Sequence, residues 1–122
     1  MKKLLLLIVF PLFAFQCSDE TNASLNDELV AKKQEIVDYI NSFDCSDSCN
    51  YIAFGSKPCG GPREFLLFSS NINLDQLQQM VTEYNELDYQ NNINTNAVSD
   101  CAVVLPPNTV DCVNGDCVVI ID

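Results

Sequence analysis

The sequence predicts an α+β fold: a two-layer sandwich with an antiparallel sheet of about five strands, two helices on one face, and disulfide bracing. Three observations lead there. Two segments repeat apolar residues at helical spacing, five short runs rich in β-branched and aromatic residues are separated by turn formers, and six cysteines are spread among those turns and runs. Runs of strands alternating with single helices, and joined by hairpins, place the helices together on one side of an antiparallel sheet.

Composition bounds the rest. Without a leader of sixteen residues the 122-residue chain keeps about 106, one domain and one core. An apolar content of 48%, a charged content of 19% and a mean hydropathy of +0.07 supply the buried surface that a disordered chain lacks. Seventeen acidic against six basic residues give a net charge of −11, which repels phosphate backbones and excludes nucleic acid as a partner. Histidine is absent, which removes Ser/His/Asp triads, Cys/His pairs, imidazole metal sites and histidine bases together. The chain is read as non-catalytic and without a cofactor, and its residues identify neither a ligand nor a reaction.

The first element is a leader over 1–16: Lys2 and Lys3, then the apolar run Leu4 to Phe15. A run this short falls below the ~20 residues of a spanning helix. Ala14-Phe15-Gln16-Cys17 resembles the lipobox of bacterial lipoproteins, with Phe15 and Gln16 where that family has small residues. The resemblance implies that Cys17 is acylated, for instance by palmitate, and becomes the mature N-terminus. The alternative is an ordinary secretory leader. Cysteine arithmetic favours the lipid: seven is odd, and assigning Cys17 to acylation leaves six that pair. Stable anchoring takes more than one acyl chain. Asp19 and Glu20 resemble a signal sending some lipoproteins to the outer surface. The expected location is the bacterial cell envelope, at the outer membrane, with the membrane engaged through the N-terminal lipid.

Residues 17–23 read as the acylated cysteine and a polar tether, and 24–122 as the domain. Ser24 with Asp27 opens a first helix, in which Leu25, Leu29, Ile36, Ile40 and Phe43 share a face. A membrane-surface helix would carry a basic polar face, whereas Lys32, Lys33, Glu35 and Asp38 mix signs. After the turn formers Asp44 to Ser48, Tyr51 to Phe54 and Phe65 to Phe68 read as buried strands. Between them Gly55 to Pro62 reads as a tight, exposed connection. A second helix has Asn73 as cap, Gln76 completing the box, Ile72 stapling onto Leu77, and a stripe of Leu77, Met80, Val81, Tyr84 and Leu87 that ends near Asn91. Three strands follow: Ala102 to Leu105, Thr109 to Val113 and Asp116 to Ile121. Asn114-Gly115 between the last two is the type I′ hairpin signal.

A two-residue loop there sets Cys112 opposite Cys117, within the span of a disulfide. Alternatively one of these two reaches Cys101. Six cysteines allow 15 connectivities, among which the spacing does not select. The preferred set is Cys112 with Cys117, Cys49 with Cys59, and Cys45 with Cys101. Zinc ligation and thiol redox chemistry are disfavoured, because Cys-x3-Cys, Cys-x9-Cys and Cys-x4-Cys are neither zinc knuckles nor a thioredoxin-type motif. Asp44 and Asp47 beside Ser46 and Ser48 lack the pattern of a calcium loop.

Phe54-Gly55-Ser56-Lys57-Pro58-Cys59-Gly60-Gly61-Pro62-Arg63-Glu64-Phe65, with a tail of Asp100-Cys101, Pro106-Pro107, Cys112 and Asn114-Gly115-Asp116-Cys117, resembles small uncharacterised cysteine-rich bacterial lipoproteins. They share a Gly-x-Lys-x-Cys-Gly-Gly-Pro loop and a Cys-x-x-Gly-x-Cys end. The resemblance, over about Cys45 to Val118, implies a shared fold and disulfide plan and no activity. Physically, Lys57, Pro58, Cys59, Gly60, Gly61, Pro62 and Arg63 form a candidate binding loop, a positive point on an acidic body. Read as exposed, Lys57 and Arg63 are expected to tolerate exchange for glutamate without loss of folding. The bland reading is a turn joining two strands. The functional one is docking to an envelope or extracellular protein, and the alternative is a disulfide-braced serine-peptidase inhibitor using Lys57 or Arg63.

Overall fold

The structure is a computed structural model describing residues 20–121; the leader, Cys17, the two residues after it and Asp122 lie outside the described residues. The elements in chain order are helix α1 (Glu20–Asn41), strands β1 (Cys49–Phe54) and β2 (Glu64–Ser69), helix α2 (Leu74–Thr95), and strands β3 (Val110–Val113) and β4 (Asp116–Val119). Among the described residues the fold is α+β with two helices and three disulfides. Its sheet departs from expectation: in place of one sheet of about five strands there are two antiparallel hairpins, β1–β2 and β3–β4.

The strand expected at Ala102 to Leu105 does not form. Its β-branched composition favours extended backbone, but a strand needs a ladder partner. Here the Ala102 carbonyl accepts from Lys57 Nζ at 2.8 Å, Cys101 is bonded to Cys59, and Pro106-Pro107 lack donors.

Both helices outrun their expected limits. α1 begins four residues before Ser24, so much of the expected tether is helical; neither glycine nor proline interrupts the sequence from Cys17 to Phe54. α2 starts as expected, with the Asn73 side chain accepting from the Gln76 N–H at 3.1 Å. It passes Asn91 and stops where Asn96 adopts the left-handed conformation, φ 50° and ψ 43°.

Strand pairing places Ile52 opposite Leu66, and Phe54 opposite Glu64. Alternation therefore puts Ile52, Phe54, Leu66 and Phe68 on one face. Phe54 and Phe68 are buried there with Leu29, Ile36 and Ile40 of α1 and Leu77, Val81 and Tyr84 of α2. The Phe54 ring stacks on Tyr84, centroids 4.2 Å apart. Both helices thus cover one side of the first hairpin. On the other side Phe65 and Leu67 share a depression with Val104, Leu105, Pro107 and Val119, so the C-terminal segment forms a third layer.

The six cysteines are all bonded, in none of the three preferred pairs: Cys45 joins Cys112, Cys49 joins Cys117, and Cys59 joins Cys101. The hairpin register behind the first expected pair is present. Asn114 and Gly115 have φ of 53° and 85°, and Cys112 faces Cys117. Facing residues project from the same side of a hairpin. That side meets Cys45 and Cys49, so each cysteine bonds outward to the body instead of across the ladder.

Leu77, fully buried among both helices and the hairpin, tests this core. Leu77→Ala is expected to lower the unfolding free energy by about 2–5 kcal/mol in a urea titration. Val30→Ala, on the exposed face of α1, is expected to change it by about 0.5 kcal/mol or less.

Candidate functional site

The candidate loop leaves β1 at Gly55 and enters β2 after Arg63. Gly55 has φ +86°, and a Cβ there would lie 2.8 Å from Arg63 Cγ, so glycine answers both a conformational and a packing requirement. A turn closes on Lys57: the Gly60 N–H donates to the Lys57 carbonyl, and the Lys57 N–H to the Gly61 carbonyl, each at 2.9 Å. The exposed tip of Gly60 and Gly61 uses positive φ at both residues, 102° and 81°. Pro58 and Pro62 flank it half-buried, and the Cys59 disulfide to Cys101 ties it to the C-terminal segment.

A polar row on α2 holds the base of the loop. The Gly55 N–H donates to Asn85 Oδ1, and the Ser56 N–H to Asp88 Oδ2, both at 2.8 Å. Asn92 Nδ2 donates to the Ser56 carbonyl at 2.7 Å. Arg63 meets the same row: Nε and Nη2 donate to the two Asp88 oxygens at 2.7 and 3.1 Å, and Nη2 donates also to Asn92 Oδ1 at 3.0 Å. The Asp88 side chain is only 5% exposed. Its hydrogen bond raises the Arg63 pKa above the ordinary value, against the opposing effect of burial. Burial first, and then the Asp88 charge, pushes the Tyr84 phenol upward.

Lys57 has partners of its own. Its Nζ donates to Asp100 Oδ1 at 2.6 Å and to the Ala102 carbonyl at 2.8 Å, leaving the side chain 12% exposed. The hydrogen bond from Lys57 holds the exposed Asp100 carboxyl below the ordinary carboxylate range. A folded-state pKa depressed in this way contributes above the ordinary carboxylate range and is lost as pH falls through the lowered value. Lys57, Arg63, Ser99, Asp100 and Ala102 line an open depression of about 440 Å³.

The loop is therefore present and braced, and each of its two cations is paired with a carboxylate of the same chain, Lys57 nearly buried and Arg63 still 41% exposed. This corrects the expectation that both could become glutamate at no cost to folding, because a glutamate at 63 would face the buried Asp88. Asn85, Asp88 and Asn92 were not singled out in the sequence. Their spacing of three and four along one helix beside Tyr84 is the signal that marks them. The expected lipidation site, Cys17, lies outside the described residues.

Arg63→Ala leaves a buried carboxylate without its cation and is expected to cost about 2–4 kcal/mol in a denaturant titration. In Arg63→Ala/Asp88→Asn most of that loss is expected to return, because the charge left unpaired is gone. An unchanged midpoint for the single variant would contradict the clamp. Comparison with known proteins finds no matching family model, no matching curated protein and no matching solved structure, so the functional reading rests on the residues themselves.

Proposed function

We propose that the chain is an exported lipoprotein of the bacterial cell envelope, held to the membrane through acylated Cys17, whose disulfide-locked domain is a non-catalytic protein-binding or structural module. The observation that carries this reading is the set of three disulfides linking residues 67, 68 and 42 positions apart. Such cross-links belong to oxidising compartments, where exported proteins reside. They also use all six cysteines of the domain, leaving Cys17 as the one available to a lipid. Among the described residues no helix is long and apolar enough to cross a membrane. With α1 starting at Glu20, three residues after Cys17, the helix would begin within about 10 Å of the acylated residue.

The inhibitor alternative draws less support. A peptidase specificity pocket takes a basic side chain that points into solvent, whereas Lys57 is tethered by Asp100 and Arg63 is clamped by Asp88. Docking by the loop would rest on the shape of its exposed Gly60-Gly61 tip and on low entropy loss from a braced segment.

Cys17→Ser tests the anchor. The variant is expected to leave the membrane fraction and to lose incorporation of labelled palmitate. Retention of label in membrane-bound variant would refute the lipid assignment.

A further inference from the structure

The Sγ atoms of Cys45, Cys49 and Cys117 all lie within 4.8 Å of one another, and Cys112 Sγ is bonded to that of Cys45. Three sulfurs thus meet at one place, and a fourth, that of Cys112, is bonded to one of them. Cys45 and Cys49 come from the turn before β1 and its first residue; Cys112 and Cys117 come from facing positions of β3 and β4. Cys45 is buried and the other three are half-buried. With metal–sulfur bonds of about 2.3 Å, a tetrahedral four-thiolate site has sulfur–sulfur edges of about 3.8 Å; Cys45, Cys49 and Cys117 lie within 4.8 Å of one another, and Cys112 has to swing into that group once its bond to Cys45 opens.

We propose that in the reduced chain Cys45, Cys49, Cys112 and Cys117 form a four-thiolate site for a thiophilic divalent cation of the zinc class. A thiol or phosphine reductant supplies two electrons per disulfide, and with two protons each disulfide becomes two thiols. One divalent cation then binds four thiolates as four protons leave, and the centre carries a net charge of −2. The spacings Cys-x3-Cys and Cys-x4-Cys do not resemble zinc knuckles, but tertiary structure supplies what spacing lacks: the β3–β4 register presents two sulfurs to the two at the start of β1. Four bare thiolates so close would repel one another, and the cation offsets that repulsion while holding the same two hairpins that the disulfides hold. A cavity of about 330 Å³, lined by Phe43, Asp44, Gly115, Asp116 and Cys117, offers an approach beside the cluster. The metal form belongs to the chain before its disulfides close or after their reduction, and so goes beyond the envelope role proposed above.

Cys59 and Cys101 stand outside the cluster and provide the internal control. The mature chain is reduced with a phosphine, supplied with zinc, alkylated with iodoacetamide and mapped by mass spectrometry. Zinc is expected to slow alkylation of Cys45, Cys49, Cys112 and Cys117 by about tenfold or more while leaving Cys59 and Cys101 unchanged. Cobalt in place of zinc is expected to give thiolate charge-transfer bands that persist in Cys59→Ser/Cys101→Ser and weaken in Cys49→Ser. Equal protection of all six cysteines, or protection of none, overturns the proposal, including when the reduced chain unfolds and zinc does not restore it.

Discussion

The paired disulfides between the hairpins are the constraint on which the C-terminal third of the molecule depends. β3 and β4 have four residues each, and an isolated hairpin of that length is at best marginal in water. Cys45–Cys112 closes a loop of 67 residues and, by restricting the unfolded chain, contributes about 4 kcal/mol. Cys49–Cys117 then closes only the small ring left by two short arms, so it contributes less, about 2.5 kcal/mol. The first bond positions the hairpin, and the second prevents it from pivoting. Cys59–Cys101 pins the start of the same segment, so a run with little regular structure is held at both ends.

Helix α2 is the other frame. One of its faces carries Leu77, Val81 and Tyr84 into the core; an adjoining row of Asn85, Asp88 and Asn92 receives the loop. The two cations of the loop differ in consequence. Arg63 meets a carboxylate that is nearly buried, where an unpaired charge is costly. Lys57 meets Asp100, which is 78% exposed, so solvent screens that pair. The loop is thus fixed at its base by Arg63 and steered at its tip by Lys57 and the Cys59 bond.

The helices and both hairpins were legible because their signals are local: apolar spacing in α1 and α2, an Asn73 cap, two short apolar runs for β1 and β2, and Asn114-Gly115 with its demand for positive φ between β3 and β4. The third expected strand was misread for the same reason. Ala102 to Leu105 has strand composition, but pairing depends on a neighbour, and this backbone is engaged by Lys57 from 45 residues away. Cysteine pairing was illegible at the same level: Cys112 does face Cys117, and nothing local reveals that Cys45 and Cys49 wait on the same side. The loop's cations were visible, while their partners stand 25 and 43 residues distant.

Disulfide mapping of the unreduced protein reads the pairing itself, because cleavage before aspartate separates the relevant cysteines. Asp47 divides Cys45 from Cys49, and Asp116 divides Cys112 from Cys117. Peptide 44–46 is expected to be bonded to 111–115, and peptide 47–74 to both 116–121 and 100–110. Recovery of 111–115 bonded to 116–121, with 47–74 unlinked to either C-terminal peptide, would contradict this pairing.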